Sequence, residues 1–288
     1  MKNLKLSTNL LLLLVVFALT FTGCSKNDSD EQESSSQDYS EVALSSEIDR
    51  ASDAMDDFAI QVFEAQEEVE PGSPNNGDTT TTRDMNDIPD CVTITLVAEG
   101  TSREITIDFG AEGCLVNGNV FKGKIILSYE RIPEAQQVTI IKTLEDFYFN
   151  NKNIVGGKTI IKVLSNENGN PQFTKTTDIT VIWPNGAQAS RNGVKVREWI
   201  EGFGSGVWSD NVFEITGNWT SMFVNGSTHS YEVVIPLRRE VVCYYFVSGS
   251  IDVERTNFSG MFDYGSGNCD NQATFTFDGG TVVDITLN

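Results

Sequence analysis

The sequence predicts an all-β protein, a large antiparallel sheet assembly with one N-terminal amphipathic helix. From Cys91 onward, apolar residues recur with a period of two, in runs rich in Val, Ile, Thr and aromatic residues. Asn-Gly and Asn-Asn pairs separate these runs and accept the positive φ of tight hairpin turns. The turns follow one another too closely for crossover helices, so the strands are expected to be antiparallel. We expect roughly ten to twelve strands, in a sandwich or a curved open sheet.

Residues 1–23 have the features of an export signal. A cationic start is followed by ten apolar residues, Leu10 to Leu19, too few to span a bilayer as a helix. Cys24 directly after Gly23 resembles the lipobox of bacterial lipoproteins, although Phe21 stands where that motif usually has Leu, Val or Ile. The resemblance implies cleavage before Cys24 and diacylation of its thiol. The membrane is then a partner through a lipid anchor.

Residues 24–45 are predicted to be an acidic, disordered tether, since Ser, Asp, Glu and Gln cannot bury enough apolar surface to fold. From Asp28 to Asp90, nineteen acids stand against Arg50 and Arg83 alone. A chain with this charge balance is not expected to bind nucleic acid, which needs clustered Lys and Arg. Ser25 to Glu31 resembles the surface-export signals of lipoproteins from Bacteroidota-type bacteria, and a soluble spacer is the alternative. We expect an outer-membrane lipoprotein, on the cell surface or the periplasmic face.

Residues 46–70 are predicted to form the amphipathic helix, with Ser46 as its N-cap. Apolar residues recur at helical spacing from Ile48 to Val62, and the acids, among them Asp49 and Asp56, lie mostly off this stripe. The stripe is expected to dock on the protein's own sheet. Binding of a partner protein is the alternative. Residues 71–90 read as a linker, and residues 91–288 as the β domain.

The four internal cysteines are expected to form two disulfides, because an exported chain meets an oxidising environment. Each pair flanks a predicted hairpin that would bring its ends together, so Cys91 is expected to pair with Cys114, and Cys243 with Cys269. Both hairpins end in the pattern Asp, aromatic, Gly, three residues, Cys. This echo favours a diverged duplication over a coincidence of turn chemistry. Zinc binding is disfavoured because the sequence has no CxxC and a single histidine.

Glycines in the middle of four predicted strands interrupt the β pattern. Glycine weakens a strand interior, so these positions are expected to mark bulges, sharp bends or sites of close packing. The four positions are Gly123, Gly157, Gly217 and Gly249.

Enzymatic chemistry has little support in the sequence. A Ser or Cys triad needs a histidine base, and the single histidine, His229, follows a predicted turn. No phosphate-binding loop, dinucleotide fingerprint or metal motif is present, so no cofactor and no metal are expected. A glycosidase needs only two carboxylates, which leaves acids such as Glu198 and Asp210 open.

The candidate ligand surface consists of Lys195, Arg197, Trp199 and Trp208. Strand alternation in Val194 to Glu201 places the first three on one face, among charged groups, and Trp208 follows in a glycine-rich turn. Aromatic rings beside hydrogen-bonding side chains are typical of carbohydrate surfaces. The alternative is that these residues pack in the interior. A second possible ligand is an apolar small molecule in a cavity of the curved sheet.

The body resembles an uncharacterised lipoprotein family of Bacteroidota-type bacteria. The resemblance rests on short patterns spread over most of residues 91–288: Ile107-Asp-Phe-Gly110, Gly123-Lys-Ile125, Phe147-Tyr-Phe-Asn150, Arg197-Glu-Trp-Ile200, Trp208-Ser-Asp-Asn211, Pro236-Leu-Arg-Arg239 and Asp263-Tyr-Gly265. It implies an envelope address and an all-β fold, and no activity. The resulting expectation is a non-enzymatic binding or surface-structural module. The alternatives are a carrier of an apolar ligand and a glycan-binding or glycan-hydrolysing protein.

Overall fold

The computed structural model describes residues 29–67, 88–132, 134–255 and 259–287. The predicted signal peptide, the anchor Cys24 and most of the predicted linker lie outside the described residues. The chain divides into two compact units, Met1–Val42 and Ala43–Asn288. The first unit contributes to the described part only the start of the helix, and every side-chain contact given below lies in the second.

One helix, α1, runs over Ser29–Glu67. It therefore begins inside the segment expected to be a disordered tether, well before Ser46. Glu and Gln are good helix formers, and acids near a helix start interact favourably with its dipole. The expectation of a disordered tether considered only the low hydrophobicity of this segment.

Fourteen antiparallel strands form a single sheet, so the estimate of ten to twelve was low and the sandwich alternative was wrong. Each strand pairs with the next in sequence, except that β3 lies beside β4 off the main path and β2 pairs directly with β4. The strands are β1 Thr93–Glu99, β2 Ser102–Asp108, β3 Cys114–Val116, β4 Asn119–Glu130, β5 Gln137–Phe149, β6 Lys152–Val163, β7 Gln172–Ile182, β8 Gln188–Glu201, β9 Val212–Phe223, β10 Thr228–Glu240, β11 Ser248–Arg255, β12 Ser259–Ser266, β13 Gln272–Phe277 and β14 Val282–Thr286.

The part of α1 after Val42 is enclosed by this curved open sheet. Its apolar stripe docks on the sheet as predicted: the Phe58 ring lies 5.5 Å from Phe109 and 6.1 Å from Phe121, and Phe63 lies 5.0 Å from Tyr129. Burying a side chain such as Phe58 contributes roughly 1.5–3 kcal/mol. Asp49, Asp53, Asp56 and Asp57 of the helix are buried as well, which the amphipathic pattern did not predict.

Bulges allow one sheet to curve around the helix. The β4–β5 register shifts between Lys122 and Lys124, and a Cβ on the intervening Gly123 (φ +81°) would lie 2.1 Å from the Asp146 carbonyl oxygen. Gly249 (φ +106°) marks a similar shift between β11 and β12, close to the Pro236 carbonyl oxygen. Two of the four predicted mid-strand glycines therefore mark bulges. The other two mark close packing, since a Cβ would lie 2.7 Å from the Lys142 carbonyl oxygen at Gly157 and 2.1 Å from the Val194 carbonyl oxygen at Gly217. A bulge bends its strand and increases the local twist, so each helps the concave face wrap α1.

The two predicted disulfides, Cys91–Cys114 and Cys243–Cys269, are confirmed, each with a Cα–Cα separation of 5.6 Å. The echoed segments adopt the same turn. The Gly110 N–H donates to Asp108 Oδ1 at 2.8 Å, and the Gly265 N–H donates to Asp263 Oδ1 at 2.7 Å.

Candidate functional site

Strand β8 turns its charged face inward, onto α1. Lys195, Arg197 and Trp199 do share one face, as alternation predicted, but that face is buried: Arg197 is 0% exposed and Trp199 5%. The opposite face, which carries Val194, is the outer one. The expectation that the charged face is a surface was therefore wrong. The reason is that the helix meeting β8 presents carboxylates, and cations on the concave face neutralise them.

The centre of the interface is a single carboxylate surrounded by three ammonium groups. Asp56 accepts hydrogen bonds from Lys142 at 2.5 Å, Lys158 at 2.9 Å and Lys175 at 2.7 Å. All four side chains are 1% exposed. Lys158 also donates to Ser52 Oγ at 2.7 Å. Buried charges are tolerated when they are paired and hydrogen-bonded, and this geometry supplies both conditions.

Further ion pairs continue the interface along the helix. Asp49 pairs with Arg191 and, at 2.9 Å, with Lys195. Asp57 pairs with Arg197 and, at 2.8 Å, with Arg239. The remaining contacts join Asp53 to Lys195 at 3.5 Å and Glu64 to Lys162 at 2.5 Å. In these buried pairs, eight bases face five acids.

These charges shift one another's protonation. Burial alone would raise the pKa of Asp56, but its three lysines hold that pKa well below the usual value. The two arginines beside Asp57 likewise outweigh burial and lower the pKa of that carboxyl. Burial, reinforced by Lys142, lowers the pKa of Lys158 to about 8. The pKa of Lys175 is also lowered, chiefly by burial.

A cavity of about 470 Å³ lies beside the ionic interface. It is bounded by α1, the β3–β4 hairpin, the short 3₁₀ helix Trp208–Asp210 and the connection between β10 and β11. A volume of several hundred Å³ is in the usual range for small-molecule sites. Aromatic side chains contribute much of its lining: Phe58, Phe121, Trp208, Tyr244, Tyr245, Phe246 and Tyr264.

One hydrogen bond crosses the gap between the two sides of the sheet at this cavity. The Tyr244 hydroxyl donates to Asn119 Oδ1 at 2.9 Å, which joins the β10–β11 connection to the start of β4. The Asn150 amide donates to the same oxygen at 2.9 Å. Asn119 Oδ1 therefore accepts from two separate parts of the chain, the β10–β11 connection and the turn between β5 and β6.

Arg50 is the exceptional cation of this region. It is partly buried, lines the cavity, and its guanidinium lies 5.1 Å from the centre of the Tyr244 ring. Within the described part of the chain it makes no hydrogen bond and no ion pair, and its Nε is buried without a partner. The sequence offered one signal for it, since Arg50 is the only base between residues 46 and 70. Sequence reasoning missed both Arg50 and Tyr244.

Of the four candidate ligand-surface residues, Trp208 alone lines the cavity. Its ring meets Trp199 edge-on at 5.8 Å. Trp199 is held from the other side, because its indole N–H donates to Glu201 O at 2.9 Å and Asn211 Oδ1 at 3.0 Å. Lys195 and Arg197 are occupied by the helix acids. The four residues do not form one exposed surface in this structure.

The acids left open for catalysis have other partners. Glu198 accepts hydrogen bonds from Asn170 at 2.8 Å and Asn168 at 3.0 Å, which lower its pKa, whereas a glycosidase general acid needs a raised one. Asp210 accepts a hydrogen bond from Ser205 at 2.9 Å. His229 lies buried in β10, 3.1 Å from the Tyr231 hydroxyl. Among the described residues, no group of three or more His, Cys, Asp or Glu side chains could hold a metal ion.

The fold and the cavity together define a single-sheet protein that encloses an acidic helix and leaves a small-molecule-sized space beside it. No protein-family model, curated sequence or solved structure matches the chain. In the described ranges, no helix combines the length and apolar character needed to cross a bilayer.

Proposed function

We propose that this protein is a lipid-anchored cell-envelope lipoprotein that binds a small molecule with an apolar body and has no enzymatic activity of its own. The observation that carries the proposal is the aromatic-lined cavity of about 470 Å³ between α1 and the sheet. Rings on several sides offer apolar contact area, and a few polar groups can fix orientation, as in most small-molecule sites.

A fluorescent apolar probe tests the cavity. N-phenyl-1-naphthylamine is expected to bind the full chain and gain fluorescence. Ala54→Trp, on the cavity side of α1, should abolish this gain because the indole fills the space. Ala98→Trp, on the exposed end of β1, is the matched control and should bind as wild type does. A folded Ala54→Trp protein that binds the probe as well as the control would refute the cavity as the site.

The anchor is supported by the export signal and the cysteine after Gly23. Cys24→Ala should move the protein from the membrane fraction to the soluble fraction with its thermal unfolding unchanged, because the substitution removes the thiol that would carry the lipid. Fractionation and immunoblotting measure this. Continued membrane association of the folded variant would contradict the lipid anchor.

A further inference from the structure

We propose that the ligand is an amphipathic anion, an acid group on an apolar body, and that Arg50 binds the acid group. The inference rests on the proposed function, since it names the class of ligand for the same cavity. Arg50 lines the cavity, and among the described residues its guanidinium makes a cation–π contact with the Tyr244 ring and no hydrogen bond or ion pair. A carboxylate or phosphate oxygen is the group that a guanidinium binds best, often through two parallel hydrogen bonds.

The charge of the surroundings favours an anion. The other cation lining the cavity, Arg239, is already occupied, since it pairs with Asp57 at 2.8 Å. Across the buried helix–sheet pairs, eight bases face five acids, an excess of three positive charges when all are ionised. In a low-dielectric interior such an excess is felt over several ångströms. Asp49, Asp53 and Asp57 also line the cavity, but each of these carboxylates faces at least one of these bases. Arg50 is the lining charge that has no ion pair among the described residues.

Asp53 supports the rival ligand, an amine. It also lines the cavity, and neither of its oxygens accepts a hydrogen bond from a described residue. Both oxygens are buried, however, and the carboxylate faces Lys195 at 3.5 Å on the sheet side. Arg50 is the partly exposed group and Asp53 the enclosed one, so a ligand meets the guanidinium first.

The aromatic lining fits the apolar body. Phe58 and Phe121 are buried and form the inner wall of the cavity. Trp208 is half-buried and Tyr244 is exposed, so these two side chains form the outer part of the cavity. Tyr244 stacks under Arg50 and so orients the guanidinium before any ligand arrives. A preoriented donor loses less side-chain freedom on binding.

Three ligands with one twelve-carbon chain and different head groups test the inference: dodecanoate, dodecanol and dodecylammonium. Each displaces N-phenyl-1-naphthylamine from Cys24→Ala protein, which carries no lipid of its own. Dodecanoate is expected to bind about tenfold more tightly than dodecanol, the usual effect of a charge-assisted hydrogen bond. Arg50→Gln should remove this difference, Arg50→Lys should restore part of it, and Lys122→Gln, an exposed strand position, should leave it unchanged.

The possible results distinguish an anionic ligand, an amine ligand and no ligand in this cavity. Equal affinity for dodecanoate and dodecanol, or an unchanged preference in folded Arg50→Gln protein, overturns the anion inference while leaving the cavity as a binding site. Preference for dodecylammonium that Asp53→Asn abolishes assigns the ligand to the amine class instead. Failure of all three ligands and of the probe itself overturns the proposed function. Circular dichroism of each variant shows that it is folded.

Discussion

Asp56 shows how one residue can organise the interior. Its carboxylate receives three lysine ammonium groups from three adjacent strands, β5, β6 and β7, at distances of 2.5–2.9 Å. Without this carboxylate the three buried lysines would repel one another, so the position of α1 that brings Asp56 among them is favoured over positions that do not.

Asp56→Asn should therefore lower the free energy of unfolding by about 3–5 kcal/mol, the usual cost of breaking a buried ion pair on one side. Urea denaturation at pH 7 measures the change. Glu145→Gln is the control, since its pair with Lys124 is exposed, and such pairs contribute about 0–1 kcal/mol. An Asp56→Asn protein as stable as the control would show that the lysines do not depend on this carboxylate.

At the scale of the elements, strand β8 explains what could and could not be predicted. Period-two alternation correctly placed Lys195, Arg197 and Trp199 on one face, because the pleat of a strand fixes side-chain parity whatever lies next to it. The prediction of which face of β8 is buried was wrong, because the prediction assumed that apolar residues point inward. That rule has exceptions when a neighbouring element carries the opposite charge, and the neighbour here is far away in the sequence.

Strands, turns and disulfides were predictable because each depends on local chemistry. Asn117 and Gly118 form a turn with positive φ as expected, and both cysteine pairs close their own hairpins. A cavity was predicted only in general terms, without its lining residues. Its walls come from α1, β3 and the β10–β11 connection, and no local sequence pattern indicates that these three segments lie together. Arg50 could have been noticed as a lone base in an acidic helix. That it makes no ion pair with a described residue can be seen only in the folded structure.

At the scale of the whole molecule, the ionic interior makes stability depend on pH on both sides of neutrality. Asp56 and Asp57 have folded pKa values below their unfolded ones, so their stabilisation is complete above about pH 4 and is lost as the pH falls through the folded values. Lys158 acts in the opposite range. Its folded pKa of about 8 lies below the ordinary 10.5, so between these values the unfolded chain binds the extra proton, and stability rises with pH.

Stability should consequently peak between about pH 8 and 10 and not near neutrality. Above about pH 10 it should fall, because burial raises the pKa of Tyr231 and Tyr264 and the unfolded tyrosines ionise first. Urea denaturation from pH 3 to 11 measures the profile. Lys158→Met should flatten the rise above pH 8. A steady decline of wild-type stability from pH 7 to 10 would contradict the assignment.

The enclosure of α1 also governs how the chain reaches this structure. Asp57 lies 182 residues before its partner Arg239, and Asp56 lies 86 residues before Lys142. The helix is synthesised before every strand that it pairs with: Asp56 has its first partner once β5 has been made, whereas Asp57 has its first partner on β8 and its second on β10. The strands pair mostly with their neighbours in sequence, but each of these helix–sheet pairs closes a long loop, and the entropy of closing it must be overcome before the contact forms. We therefore expect the ion pairs of α1 to form late in folding, after the hairpins between neighbouring strands.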